Sequence, residues 1–326
     1  MGFNYKTKPY EHQEEALLRS FNRKNYAYFM EMGCGKSKVL IDNITWLHEE
    51  GQIDTAVIIA PKGVYMNWKN SEIPIHLPDN IEKNVYVWKA SANKTEKKIL
   101  EEGVKTRDKL RILLVNVESF ATVKVKKYLD AFIHRSNFIL AVDESTTIKN
   151  IKAKRTKAVL ELGDSAKYKR ILTGSPITQS PMDLYAQCAF LDKDLLGFDS
   201  YWSFQGRYAV VRQTRMGNHS FQQVVGFRNL EELTDKLQNF SYRVTKDEAL
   251  DLPEKIYTTR DVNLTSDQIK HYNSMKDVAV AFLEGGDMVT APEVMTRLLR
   301  LQQLLCGYLV TDDGETVEIA NHRIDA

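Results

Sequence analysis

Residues 27–30, 56–60, 112–115, 138–142 and 171–172 are runs in which every position is apolar or aromatic. A half-exposed strand alternates polar and apolar positions, whereas a parallel strand covered on both faces is apolar throughout. Helix-like stretches, 38–50 and 151–162 among them, lie between these runs. Strand–helix alternation of this kind predicts an α/β fold with a doubly wound, mostly parallel sheet flanked by helices. The pattern changes near residue 196. Segments 207–214 and 220–227 flank Arg215-Met216-Gly217-Asn218-His219, which predicts a β-hairpin with a glycine-containing turn. Further on, 266–283 and 293–306 predict helices separated by the breaker run Glu284-Gly285-Gly286-Asp287, with Pro292 suited to the first turn of the second. The stretch 311–315 reads as a turn with nothing substantial after it.

Composition narrows the class without fixing it. The net charge of +2 excludes a globally basic nucleic-acid binder. Charge is uneven, however: Lys149, Lys152, Lys154, Arg155 and Lys157 crowd one segment, followed by Lys167, Lys169 and Arg170. A phosphate-facing patch and a solvated helix face both fit, and charge alone favours the second. Cys34, Cys188 and Cys306 are far apart and form no CxxC pair, which points to a reducing compartment and no structural zinc. No apolar run approaches the roughly 20 residues that a membrane helix needs. A monomer with a cytoplasmic location is expected, in a prokaryote or a virus-infected host, or a nuclear one in a eukaryote.

Two motifs carry chemistry. Glu31-Met32-Gly33-Cys34-Gly35-Lys36-Ser37 follows an apolar strand and precedes a helix, the context that a phosphate-binding loop requires. Backbone N–H groups of Gly33, Cys34, Gly35 and Lys38 are positioned to close on phosphates. Lys36 can reach the β- and γ-phosphates, and the Ser37 hydroxyl can ligate Mg²⁺. The full GxxxxGK[ST] pattern wants glycine at position 30, where Met30 stands. The second motif, Asp143-Glu144, ends the apolar run 138–142. Ligands of open α/β sheets bind at the carboxyl ends of strands, which brings the pair near the phosphate loop. Asp143 then serves as Mg²⁺ ligand and Glu144 as the base that orients and deprotonates water.

These residues resemble superfamily-two helicases, and within them the Swi/Snf-type DNA-translocating ATPases, over about residues 8–306. Pro9-Tyr10-Glu11-His12-Gln13 looks like the family's adenine-sensing segment, with Gln13 reading the base edge. The family's phosphate loop tolerates a non-glycine first position, which accounts for Met30. Ile59-Ala60-Pro61-Lys62 with Asn67-Trp68 resembles the next motif, whose loop faces nucleic acid. Asp143-Glu144-Ser145-Thr146-Thr147-Ile148-Lys149-Asn150 is similar to the Swi/Snf signature, although Ser145-Thr146 replace the usual Ala/Gly-His, so the histidine link to the next motif is absent. Leu172-Thr173-Gly174-Ser175-Pro176 resembles the motif coupling ATP state to lobe movement. Arg243 with Lys246, and Leu252-Pro253-Glu254-Lys255, follow the family's spacing.

The resemblance implies a RecA-like lobe over 1–195, an inserted hairpin protrusion over 196–227, a helical extension over 228–310 leading to a second lobe, and a truncated linker over 311–326. ATP and Mg²⁺ are the implied cofactors and DNA, preferably duplex, the implied partner. The second lobe, with its arginine fingers, is implied to be absent, so the chain alone is expected to be nearly inactive. Nucleic-acid backbone contacts are expected at Lys62, Asn116, Ser119 and Ser175, and coupling at Thr173, Gly174 and Ser175. Arg207, Arg212 and Arg215 mark the hairpin as a strand-contacting element. Trp68 and Trp88 fit core packing better than base stacking. A nucleotide-gated scaffold without motor activity is the alternative, and a small-molecule P-loop kinase a distant third.

Overall fold

A computed structural model describes residues 2–216, 219–251, 253, 256–284, 291–310 and 314–323. Contacts divide the chain into two compact units, Met1–Leu252 and Pro253–Ala326.

The first unit is built on a seven-stranded sheet: β1 (Asn25–Met30), β2 (Thr55–Ala60), β3 (Lys83–Val87), β4 (Leu110–Asn116), β5 (Phe138–Asp143), β6 (Tyr168–Leu172) and, far downstream, β9 (Ser241–Val244). Their spatial order is β3-β4-β2-β5-β6-β1-β9, and every pairing is parallel. The five predicted strands are its centre. Alternate residues pack to opposite sides: Val57, Ile59, Leu140, Val142 and Ile171 enter one core, and Ala56, Ile58, Ile139, Ala141 and Leu172 enter the other. Both faces are covered, which keeps most positions of these strands apolar; Thr55 and Arg111, at the starts of β2 and β4, and Arg170 within β6 are buried exceptions. On the second face lie α1 (Glu11–Ser20) and α2 (Lys36–Glu49). The first face packs α3 (Lys94–Lys105), α4 (Val123–Ile133), α5 (Lys154–Gly163) and α6 (Leu184–Leu191).

The two edge strands escape the sequence pattern. β3 opens on Lys83-Asn84 and is mostly half-buried, and β9, Ser-Tyr-Arg-Val, holds an exposed arginine. Neither presents the uninterrupted apolar run that marks the central strands. β9 also redraws the expected organisation: the helix α8 (Leu230–Gln238) and β9 belong to the first unit, so the extension expected over 228–310 is divided at residue 252.

The hairpin forms from β7 (Ala209–Met216) and β8 (His219–Phe227), joined through Gly217-Asn218, which lie outside the described residues. Arg207 is not in it. It sits in α7 (Tyr201–Tyr208), where its Nε donates to Glu232 Oε2 at 3.0 Å. Arg212 and Arg215 do lie on β7, both exposed.

The second unit holds α9 (Ser266–Glu284) and α10 (Ala291–Leu305), tied by Gln268 Nε2 donating to Leu304 O at 3.1 Å. Most of the predicted breaker run, 285–290, lies outside the described residues. The tail differs from expectation: β10 (Tyr308–Val310) pairs antiparallel with β11 (Thr316–Glu318), so a strand follows the stretch read as a turn, of which 311–313 lie outside the described residues.

Candidate nucleotide site

Because all seven strands run parallel, their carboxyl ends share one edge of the sheet. The phosphate loop leaves β1 there. Gly33 and Gly35 adopt φ of +88° and +82°, a region that side chains with a Cβ rarely enter. Gly35 is the N-cap of α2, whose first N–H groups have no intrahelical acceptor and face the loop. Met30, where the pattern wants glycine, is the last residue of β1 and is fully buried in the core. Its side chain points into the lobe, so the loop loses nothing by it.

The loop is braced from two sides. On α1, His12 Nε2 and Gln13 Nε2 donate to Cys34 O at 2.9 and 3.2 Å. A methyl group on Gly35 would stand 2.2 Å from Gln13 Nε2. Gln13 Oε1 in turn accepts the Tyr10 N–H at 3.1 Å. Both ends of its amide are thus engaged within the protein, one of them on the phosphate loop. From the other side, the Lys246 N–H donates to Glu31 Oε2 at 2.8 Å, and Lys246 Cε lies 3.2 Å from where a Gly33 methyl would be. The sequence marks Lys246 only by its spacing, and its place over the loop comes from β9. Lys38 offers the loop no side chain: its ammonium is buried against Asp42 Oδ2 at 2.7 Å, which leaves the backbone N–H for the expected role.

The acid pair ends β5, two strands from β1. Asp143 is buried, with Oδ2 accepting Trp68 Nε1–H at 2.9 Å and Oδ1 accepting the Glu144 N–H at 3.0 Å. Burial pushes its pKa up to about 6; the Trp68 bond opposes this, the Glu144 charge adds to it, and Lys36 opposes it. The Lys36 ammonium and the Asp143 carboxylate therefore feel each other across the site. Trp68 is the core residue the sequence suggests, at 1% exposure, and it also fixes the carboxylate. Glu144 occupies the left-handed region at φ +50°, a strained setting for a non-glycine residue.

A raised carboxylate pKa has a definite sign. The folded chain binds an extra proton between the unfolded value of 3.8 and about 6. The buried charge therefore costs stability that is fully felt above this window and vanishes as pH falls through it. A metal ligand must be ionised, so Mg-nucleotide affinity is expected to drop up to about tenfold per pH unit below roughly 6. Calorimetric titrations near pH 5 and near pH 7 check this against Asp143→Asn, which retains the nucleotide phosphate's own titration at about pH 6 and lacks only this carboxyl.

The coupling segment meets both motifs. Thr173 Oγ1 donates to Glu144 Oε2 at 3.2 Å and accepts the Ser175 N–H at 3.2 Å. Gly174 abuts the phosphate loop closely: a methyl group there would lie 3.1 Å from the Met32 nitrogen. The histidine link missing at 145–146 is replaced by one the sequence does not announce. Ser145 Oγ donates to Gln187 Oε1 at 2.6 Å, and Gln187 Nε2 donates to Pro176 O and Asp183 O, each at 2.8 Å. Gln187 is fully buried on α6. Gln187→Leu is expected to keep Mg-nucleotide binding and lose most nucleic-acid stimulation of hydrolysis; unchanged stimulation would remove it from the coupling path.

The expected nucleic-acid contacts divide. Lys62 and Ser175 are exposed beyond the ends of β2 and β6, and Asn116 is half-buried at the end of β4. Ser119 is buried, with its hydroxyl and N–H both turned to Asn116 Oδ1, so its side chain is committed to capping the turn 117–121. Lys149, in the signature, binds Asp183 Oδ2 at 3.3 Å. Trp88 packs on Tyr128 with ring centroids 4.9 Å apart. No helix among the described residues is long and apolar enough to cross a membrane.

Comparison with known proteins agrees with this geometry. The model of the SNF2-related domain matches residues 17–308. Helicase-like transcription factor of Homo sapiens is 27% identical over 271 residues, covering 79% of this chain and 25% of that protein. Chromodomain-helicase-DNA-binding protein 1-like of Mus musculus is 25% identical over 304 residues, covering 91% of this chain and 30% of its own length. The chain thus spans between a quarter and a third of these relatives. Among solved structures, the Sulfolobus solfataricus SWI2/SNF2 ATPase core in complex with dsDNA aligns with a TM-score of 0.58 at 25% identity, over 97% of this chain and 62% of that one. The chain belongs to the SNF2-related domain family and carries its N-terminal RecA-like ATPase lobe.

Proposed function

We propose that this lobe binds Mg-ATP and drives movement along DNA, tracking the backbone of a duplex without reading its bases. The observation that carries the reading is the convergence of Lys36, Asp143, Glu144 and Thr173 at one edge of the sheet, with Thr173 bonded to the carboxylate assigned as base. The donor set fits the ligands. Gly33, Gly35 and the α2 N-terminus form a phosphate cradle. Ser37 and Asp143 are the oxygen ligands that would hold Mg²⁺, which when bound neutralises charge on the β- and γ-phosphates.

In this reading Lys36 orients the terminal phosphate, and Glu144 positions and deprotonates the attacking water. Thr173, sharing its hydrogen bond with Glu144, reports the state of that carboxylate to Gly174 and Ser175 beside the strand. Lys62, Asn116 and Ser175 supply phosphate contacts, which position a backbone but carry no sequence information. A second RecA-like lobe supplies the arginines that stabilise the transferring phosphoryl group, a contribution of about 10³–10⁵ in rate.

The test is an ATPase titration with duplex DNA, single strands and RNA, on the chain alone and with a second lobe supplied. The chain alone should bind Mg-nucleotide weakly and turn over barely. With both lobes, duplex should stimulate hydrolysis, Lys36→Ala should abolish it, and DNA affinity should fall with salt and vary little with sequence. Brisk, Lys36-dependent turnover by the lone chain, or salt-independent binding, would refute the scheme.

A further inference from the structure

The basic run 149–157 left open a phosphate-facing patch or a solvated face, and the folded chain separates its members. Lys149 is drawn to Asp183, whereas Lys152 lies over the Trp202 ring at 5.4 Å from its centroid. Trp202 is nonetheless 60% exposed. Between them opens a cleft of about 690 Å³, lined by Asn150, Lys152, Gln179, Trp202, Gln205 and Gln222 among others. Gln179, Ser180, Met182 and Asp183 line one side and Gln222 of β8 another, so the cleft lies between the stretch that follows the coupling segment and the hairpin.

The chemistry of this lining is selective. Asp183 is the one carboxylate among the lining residues, and it is consumed by Lys149, by the Thr178 and Gln179 N–H groups at 3.1 and 2.9 Å and by the Thr178 hydroxyl at 2.8 Å. The lining otherwise offers one exposed indole, the ammonium of Lys152, the Ser180 and Tyr201 hydroxyls and the amides of Asn150, Gln179, Gln205 and Gln222. Of these, Asn150 Oδ1 already accepts the Lys152 backbone N–H at 3.0 Å. Primary amides offer both donors and acceptors and so accept any base edge. An aromatic face beside a cation and free of negative charge matches a nucleotide, and the volume lies in the range of ligand clefts.

We propose that this cleft captures an unpaired nucleotide of a strand leaving the duplex, its base stacked on Trp202 and its phosphate met by Lys152. The proposal rests on the DNA-motor reading and extends it: the lobe would hold a junction or frayed end in addition to the duplex backbone. Occupancy would reach the coupling segment through Asp183, whose carbonyl shares the Gln187 amide with Pro176 O.

The test measures binding of the chain to a blunt duplex, a forked duplex and a single strand by fluorescence anisotropy, with Trp202→Ala, Trp202→Phe and Lys152→Ala. Trp202→Ala should weaken forked and single-strand binding roughly tenfold, the loss of one stacked base. It should leave the blunt duplex unchanged, and Trp202→Phe should recover most of the loss. The exposure of Trp202 keeps the substitution out of the core, and a thermal melt checks that the fold is retained. Equal losses on all three substrates, or none on any, overturn the proposal while leaving the motor reading intact. A shift in self-association without a change in strand binding assigns the cleft to a protein surface and also overturns it. A wild-type chain that binds no DNA of any form sinks both readings together.

Discussion

Glu144→Gln is expected to lower DNA-stimulated hydrolysis by about 10²–10⁴ while leaving Mg-nucleotide affinity nearly unchanged. The substitution keeps the shape of the side chain, and the amide oxygen can still accept the Thr173 hydroxyl that Glu144 Oε2 accepts at 3.2 Å. The backbone at φ +50° is retained as well. What disappears is the basic oxygen. Thr173→Val makes the complementary change, because it keeps the carboxylate and removes the bond that links it to the coupling segment. The two variants should therefore differ in kind. The glutamine variant should bind DNA and nucleotide and stall, whereas the valine variant should hydrolyse slowly with little response to DNA. A steady-state ATPase assay with and without duplex, beside a nucleotide-binding titration, separates them. If Glu144→Gln kept more than about a tenth of wild-type turnover, the base would have to be sought elsewhere.

How far this was readable in advance depends on the kind of constraint. The central strands were legible because both of their faces are covered and most of their positions are apolar, whereas β3 and β9 hide at the edges. The phosphate loop was legible because positive φ and close backbone approach demand glycine, and Asp143-Glu144 because it follows a buried strand. The supporting partners were not. Trp68 bonds Asp143 across 75 positions, and Gln187 bonds Ser145 across 42, and nothing in either local pattern announces the pairing. Motif membership also does not fix where a side chain points. Lys38 and Ser119 stand at motif positions, yet one is buried against Asp42 and the other against Asn116. Gln13 stands at the expected place and grips the loop, because α1 brings its amide within reach of Cys34 O.

Arg170 shows the same limit at its strongest and carries the largest stability effect. In the sequence it ends a run of basic residues that reads as surface charge. In the fold it is fully buried, and burial holds its pKa below the usual arginine value. Five bonds surround it: Nε donates to Asn43 Oδ1 at 3.0 Å, Nη1 to the carbonyls of Lys24 and Lys169 at 3.1 and 2.8 Å, and Nη2 to those of Ser20 and Arg23 at 2.9 and 2.8 Å. Ser20 is the last residue of α1 and Asn43 lies on α2, so one guanidinium fastens both helices to β6. Carbonyl oxygens accept all five of these bonds, and only a fork of five donors can reach them all. Arg170→Ala removes all five bonds and leaves Asn43 Oδ1 without this donor in the interior. The expected cost is about 3–5 kcal/mol, since a hydrogen bond to a charged group contributes about 1.5–3 kcal/mol and the outer carbonyls can turn to other donors or water. That is a large share of the roughly 5–15 kcal/mol that holds a typical domain together. Arg170→Lys should recover little, since an ammonium has three donors and no planar fork. Urea denaturation followed by circular dichroism reads the effect. The loss should reach function too, because α1 carries His12 and Gln13 to the phosphate loop. A destabilisation below about 1 kcal/mol would mean that water replaces the guanidinium and that α1 is held to the sheet by its apolar face alone.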